Sequence, residues 1–399
     1  MKDKLQSCEN NVRLYYWYAM LREPILWGPI LITYIQSVSF MSLTEIYFME
    51  ASCVIIASLL QIPTGHFADR YGRKNSIIVG LLFILMEMIL FTIASSKTEI
   101  WISNTFWAIG YSFMSGADSA LLYDSLRAIK RQREYRKIEG KVMCLRYFVV
   151  AAAVISSGYL ATICMRLPCM IDTIIIMTCF FVVFAMREAP HEDDSTEHGG
   201  LVVQKVSMLN AIKSCWHNKK IVWIIALATT VSVTSKLWFF TYNPYFKEVG
   251  IKLIYYGYIF MALNVIAAIS SYYAHTVSSK LSPIASIALS LSCIVIPLLV
   301  MGVVMEPWAI IMILPSNFVR GFTTPFINSL LHENISSKQR ATMISVKSST
   351  HQLTEVICMF MFGIVTGVFA LSSALTGLGL VTGIVSIVLL VTYGKYFNK

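Results

Sequence analysis

Apolar stretches of about 20 residues recur along the chain, the length a helix needs to cross a bilayer. Twelve can be drawn, at 13–36, 43–66, 76–96, 100–124, 142–163, 169–187, 221–243, 254–275, 283–304, 307–328, 343–366 and 370–393. From Val356 to Gly394 no residue is charged. That run is too long for one span, so it reads as two helices joined by a tight turn near Ala370–Ser373. The pattern predicts an all-α membrane protein with twelve transmembrane helices. The longest polar interval, 188–220, carries Glu192, Asp193, Asp194 and Glu197 and divides the spans into two sets of six. It reads as a cytoplasmic linker between an N-terminal six-helix bundle, 1–187, and a C-terminal one, 221–399. Gly116 and Gly321 stand 205 residues apart, and Ala68 and Ala274 stand 206 apart, offsets that suggest an internal parallel repeat.

Composition agrees with the pattern. The chain has 399 residues, 56% of them hydrophobic and only 14% charged. A soluble globular fold cannot hide that much apolar surface, and a disordered chain would be more polar. The net charge of +10 would raise nucleic-acid binding in a soluble protein. Here most of the Lys and Arg residues fall on one side of the spans. The opposite loops hold only Lys97, Arg166, Lys247 and Lys252. This positive-inside bias places both termini in the cytoplasm and accounts for the charge without nucleic acid. The polar stretch Met1–Arg13 does not read as a cleavable leader. The nine cysteines are scattered through apolar segments as small hydrophobes. Cys164 and Cys169 form the one local pair, and whether they bond depends on geometry that spacing does not supply.

Between the second and third spans lies Gly65-His66-Phe67-Ala68-Asp69-Arg70-Tyr71-Gly72-Arg73-Lys74. This resembles the signature loop of the major facilitator superfamily, G-x-x-x-D-R-x-G-R-K. Ile62-Pro63-Thr64-Gly65, the run Gly116 to Leu126, and Arg340-Ala341-Thr342 resemble one bacterial branch of it. Three positions depart from the pattern. Gln61 stands where that branch usually has Glu, Ser112 stands where many relatives have Arg, and 151–158 lacks the Gly-Pro signature of drug–proton antiporters. The resemblance implies two six-helix bundles around a central cavity, and a secondary active transporter of the bacterial inner membrane. It would act as a monomer by alternating access, with no cofactor, driven by protons. Gly65 and Gly72 would permit close packing and a tight turn. In the family Asp69 latches onto the N-terminus of span eleven, where the helix dipole favours an anion. Arg70 and Arg73 need acceptors, and Asp124 at the cytoplasmic end of span four is a natural one. These residues form the expected cytoplasmic gate.

A charge at membrane depth costs at least ~2.5 kcal/mol, so such residues mark candidate sites. Arg22 and Glu23 lie in span one, Asp118 in span four, Lys236 in span seven and Arg320 in span ten. The resemblance implies that these four spans line the cavity. Arg22, Lys236 and Arg320 are then candidate contacts to an organic anion or zwitterion, because Arg binds carboxylates bidentately and Lys acts as a point charge. Pairing of Arg22 with Asp118 is the competing, structural reading. Lys347, His351 and Glu355 share one face of span eleven at i, i+4 and i+8. Glu355 near the midplane, with His351 one turn away, has the chemistry of a proton carrier. Glu23 and Asp118 are the next candidates for proton coupling. Glu87 stands alone in span three and is expected to be protonated and bonded to backbone. Trp238, Phe239, Phe240 and Tyr242 follow Lys236 and read mainly as packing. No His/Cys cluster has metal-ligand spacing, no glycine loop suits phosphate, and no nucleophile–base pair is apparent. The chain therefore does not read as an enzyme, and its partners are a small solute, protons and the lipid bilayer. The leading expectation is transport of a small organic anion or zwitterion, such as a carboxylate-bearing metabolite or chelator. Multidrug or natural-product efflux by proton antiport comes second, and a non-transporting membrane receptor third.

Overall fold

A computed structural model describes residues 2–22, 26–189, 218–333 and 340–397. Among these residues there is no strand. The helices are α1 (Lys2–Leu21), α2 (Leu31–Ser39), α3 (Leu43–Tyr71), α4 (Arg73–Ile93), α5 (Lys97–Met114), α6 (Ala117–Ala128), α7 (Tyr135–Ile163) and α8 (Leu167–Ala185). After them come α9 (Lys219–Glu248), α10 (Tyr256–Lys280), α11 (Pro283–Val303), α12 (Ile313–Glu333), α13 (Arg340–Val368) and α14 (Leu371–Phe397). Among the described residues, eight helical stretches are long and apolar enough, taken one by one, to cross a membrane. The fold is all-α, with twelve spans in two sets of six.

Two spans depart from the hydropathy reading. Span one, expected as one helix over 13–36, is α1 and α2 separated by a break that contains a short 3-10 turn, Gly28–Ile30. Pro29 cannot supply an amide to a continuing α-helix, which favours an interruption there. Span four, expected over 100–124, is α5 and α6 joined through Ser115 and Gly116. Gly116 has φ +82°, a left-handed conformation that side-chain-bearing residues rarely adopt. Charged residues mark both places, Arg22 and Glu23 at the first and Asp118 beside the second, but hydropathy averaged over a span does not show that the helix stops there.

Helix starts follow local chemistry. Ser42 and Glu45 form a capping box on α3: Ser42 Oγ accepts the Glu45 amide, and Glu45 accepts the Ser42 amide at 2.8 Å. Ser96 and Glu99 repeat the device on α5. Asn218 caps α9 and Ser282 caps α11, both at chain turns beside apolar runs.

The chain divides into two compact units, Met1–Asp193 with Lys252–Met261, and Asp194–Ile251 with Ala262–Lys399. In the first, α4 and α5 cross closely because Gly80 and Gly110 face each other. A Cβ on either would meet the other's carbonyl oxygen within 2.8 Å. The same logic applies where α7 meets the start of α10: a Cβ on Gly158 would strike the carbonyls of Leu253 and Ile254, and one on Gly257 those of Val154 and Ile155. In the second unit Gly302 lets α11 lie against Ser372 and Thr376 of α14.

Candidate functional site

The second unit holds a cavity of about 420 Å³ between α9, α12 and the start of α13. Lys236 enters it from α9, Arg320 from α12 and Lys347 from α13, and none of its lining residues is acidic. On α9 the positions Ser232, Lys236 and Phe239 follow helical periodicity, so one face carries the polar groups and a ring together. Asn317, Arg320 and Thr323 do the same on α12. The Lys236 ammonium lies 5.2 Å from the centre of the Phe240 ring, a cation–π contact. Arg320 Nη2 donates to Asn264 Oδ1 at 3.4 Å, and the side chain is otherwise exposed. Behind them, the Tyr242 hydroxyl meets Ser316 Oγ at 3.4 Å and receives Asn317 Nδ2 at 3.5 Å. Two of the three expected anion contacts, Lys236 and Arg320, thus come together. Lys347 joins them rather than acting only with its neighbours on span eleven. Further along α13, His351 Nε2 and Glu355 Oε2 are 3.8 Å apart, and Glu355 is only 9% exposed.

The first unit holds a smaller cavity of about 250 Å³ at the two helix breaks. Arg22 follows α1 directly and Asp118 sits in the first turn of α6. Arg22 Nη1 donates to Asp118 Oδ2, while Asp118 Oδ1 accepts the Ser119 amide at 2.7 Å. The other expected anion contact, Arg22, therefore has an acceptor in place, the pairing with Asp118 given above as the competing reading. Glu139 and Arg146 also line this cavity, and neither stood out as a candidate in the sequence. For Glu139 the reason is a boundary: α7 starts at Tyr135, whereas the hydropathy reading begins that helix at 142; Arg146 stood inside the expected span and was overlooked there. With that start, Glu139, Met143 and Arg146 fall on one face at i, i+4 and i+7. Glu23 lies outside the described residues.

A third missed residue is Asp172 on α8, which is fully buried. Its Oδ2 accepts the amides of Leu26 and Trp27 at 2.8 and 3.0 Å, and Ser157 Oγ donates to the Leu26 carbonyl. These contacts satisfy backbone groups that the break in span one would otherwise leave unpaired in the membrane. Glu87 lies nearby on α4, within electrostatic reach of Asp172. Its Oε2 is buried without a hydrogen-bond partner, so the backbone bond expected for Glu87 is not formed by that oxygen.

The signature segment is mostly helical. The second span, expected to end at 66, continues as α3 to Tyr71, and Gly72 alone links it to α4. Gly72 has φ +98°, and a Cβ there would collide with the carboxyl of Glu188. Gly65 lies inside α3, and among the described residues nothing comes within 4 Å of a Cβ position there. Asp69 Oδ1 is 2.6 Å from Arg73 Nη1, one turn on, and Arg70 lies over the Tyr71 ring at 5.5 Å. Asp124 is half-buried on α6. The N-terminus of α4 is capped by Glu188, which accepts the Arg73 and Lys74 amides at 2.8 and 2.9 Å. Glu188 was read only as the first residue of the linker, most of which lies outside the described residues. So do the side chains of Arg340-Ala341-Thr342. Ser112, where relatives carry Arg, accepts Thr64 Oγ1 at its carbonyl and donates to Ala108, tying α3 to α5. Cys164 is an exposed free thiol and Cys169 a buried one.

A membrane fold of two six-helix sets with ionisable groups inside its spans defines a polytopic transporter. The chain belongs to the Major Facilitator Superfamily, whose family model matches residues 25–359. It is 23% identical over 380 residues to the uncharacterized MFS-type transporter YxaM of Bacillus subtilis (strain 168), covering 90% of each chain. Multidrug resistance protein 1 of the same organism is 25% identical over 159 residues, 39% of this chain and 40% of that protein. Among solved structures, the nucleoside transporter NupG superposes with TM-score 0.71 at 12% identity, covering 98% of this chain and 99% of NupG. A D-xylose-proton symporter does so with TM-score 0.69 at 13% identity, covering 98% and 97%. At these identities the structural likeness speaks for the fold.

Proposed function

We propose that the protein is a proton-coupled secondary transporter of small organic anions or zwitterions in a bacterial cytoplasmic membrane, with both termini in the cytoplasm. The observation that carries this reading is the cavity of Lys236, Arg320 and Lys347, which is lined by no acid. Among the described residues the lining carries cations and no acid, so an anion entering the cavity offsets their mutual repulsion and gains charge-assisted hydrogen bonds. A cationic drug meets the opposite field. In this reading His351 and Glu355, one and two turns from Lys347, take up and release the coupling proton. Asp69, Arg70, Gly72, Arg73 and Asp124 act at the cytoplasmic gate as the site is exposed to each side in turn. Efflux of drugs is the second reading, favoured by the partial likeness to Multidrug resistance protein 1.

Proteoliposomes distinguish the two. Organic anions should accelerate counterflow and lipophilic cations should not. Lys236→Met or Arg320→Met should weaken anion binding roughly ten- to a hundred-fold, the effect of losing one charged hydrogen bond. Glu355→Gln should abolish accumulation under an imposed pH gradient while leaving counterflow. Counterflow of cations that ignores both cationic residues would overturn the anion reading in favour of efflux.

A further inference from the structure

We infer that the solute accepted by the Lys236–Arg320 cavity is an aromatic anion, a planar ring bearing a carboxylate. This rests on the anion reading above and narrows it. The charge alone would suit any acid; the walls do not. Trp238, Phe239 and Tyr242 line the same cavity as the cations, and the apolar side chains of Val231, Val319 and Ile327 complete it. Phe239 and Tyr242 are one turn apart on α9, with ring centres 5.9 Å apart and planes at 62°. Trp238 meets Tyr242 at 5.8 Å and 73°. These are edge-to-face geometries, in which the ring positions are mutually fixed before a ligand arrives.

The polar end of Tyr242 is occupied by Ser316 and Asn317, so the group this residue offers the cavity is its ring. Phe239 has no polar end, is only partly buried, and follows Lys236 by one helical turn. A ring resting on Phe239 therefore carries its carboxylate toward Lys236 on the same helix and Arg320 opposite. A polyol fits poorly, because sugar hydroxyls are commonly held by carboxylate acceptors and none lines the cavity. An aliphatic acid would satisfy the cations but forfeit the aromatic contacts. About 420 Å³ lies toward the lower end of the range for small-molecule sites, a volume suited to one or two fused rings.

The test is calorimetric binding to the purified full-length protein with benzoate and 1-naphthoate, each beside its fully saturated counterpart and its uncharged amide. The aromatic acids should bind several-fold to about tenfold tighter than the saturated acids, the size expected of one aromatic pair. Phe239→Leu should erase that preference, bringing the aromatic acids to the level of their saturated counterparts, whereas Lys236→Met should weaken all the acids and keep the preference. If saturated and aromatic acids bind equally to the wild type, the aromatic inference fails and the anion reading stands. If the amides bind as well as the acids, or no acid binds, both fail.

Discussion

The two cavities contain similar side chains and opposite bookkeeping of charge. In the first unit Arg22 and Arg146 share a cavity with Asp118 and Glu139. In the second, Lys236, Arg320 and Lys347 share one with no acid. The first set is internally neutral, so its energy is satisfied by the protein. Among the described residues the second lining carries cations and no acid, a field that favours an anion from outside. A polar cluster at membrane depth therefore has two distinct meanings, and the sign of its residual charge separates them. The glycines at matching places of the two halves differ in the same way. Gly116 supplies a left-handed hinge beside Asp118, whereas Gly321 sits in a regular helix where a Cβ would meet the Ala267 carbonyl.

The sharpest way to break this contrast is to remove one charge from each cavity. Asp118→Leu leaves the Arg22 guanidinium without its acid, and Arg22→Met leaves Asp118, only 5% exposed, without its base. Removing one partner of a buried pair costs on the order of 3 kcal/mol. Either variant should unfold at a clearly lower temperature in detergent, and the double variant should recover much of the loss. Lys236→Met should do the reverse, leaving thermal stability unchanged or slightly higher because it relieves repulsion. Equal destabilisation by Lys236→Met and Arg22→Met would erase the distinction between the cavities.

Asp172 sharpens the comparison within the first unit. Its carboxylate holds two backbone amides at the break in span one. Asp172→Leu should lose about 1–3 kcal/mol by stranding those amides in an apolar setting. Asp172→Asn keeps one oxygen acceptor and should lose less. Hydrogen exchange at Leu26 and Trp27 gives the local reading: protection should fall in Asp172→Leu and be largely kept in Asp172→Asn. Unaltered exchange in both variants would mean that the break is held by other contacts.

The six-plus-six layout was legible because span length and loop charge are set by the bilayer, which acts on every residue alike. Lys236 and Arg320 were legible for the same reason, since a cation in an apolar run is costly wherever it faces. What hydropathy could not show was backbone geometry. Leu26 to Ile32 is apolar enough to pass as helix, and the hints of an interruption are Arg22-Glu23-Pro24 and Gly28-Pro29. Asp172 was overlooked although it stands as conspicuously alone as Glu87, in a span otherwise apolar. Its role depends on a backbone 145 residues away, a pairing no local pattern encodes. Lys347 was grouped correctly by face with His351 and Glu355, but which neighbours that face meets is decided by tertiary packing.

The smallest expected effect is at Glu188, where two physical terms oppose each other. As a residue Glu188 is exposed, yet its carboxyl packs over Gly72 and against the first amides of α4. Burial of the carboxyl pushes its pKa above the ordinary carboxylate value, and the amides of Arg73, Lys74 and Asn75 pull it back without cancelling the rise. A raised folded-state pKa means that the folded protein holds this proton to higher pH than the unfolded chain does. Glu188 therefore favours folding fully below the ordinary carboxylate range, and that contribution is lost as pH rises through the raised value. For so exposed a group the change should stay under about 1 kcal/mol. Capping alone predicts otherwise: a carboxylate at a helix N-terminus should stabilise by ~0.3–1 kcal/mol once ionised, so stability would climb with pH. Glu188→Gln decides between them. It accepts an amide through its carbonyl oxygen and has no proton to lose, so its stability relative to wild type should improve on going from pH 4 to pH 7. Thermal unfolding of both proteins across that range is the measurement. A variant that instead falls further behind wild type toward neutral pH would show that the charge on the α4 dipole outweighs the burial of the carboxyl.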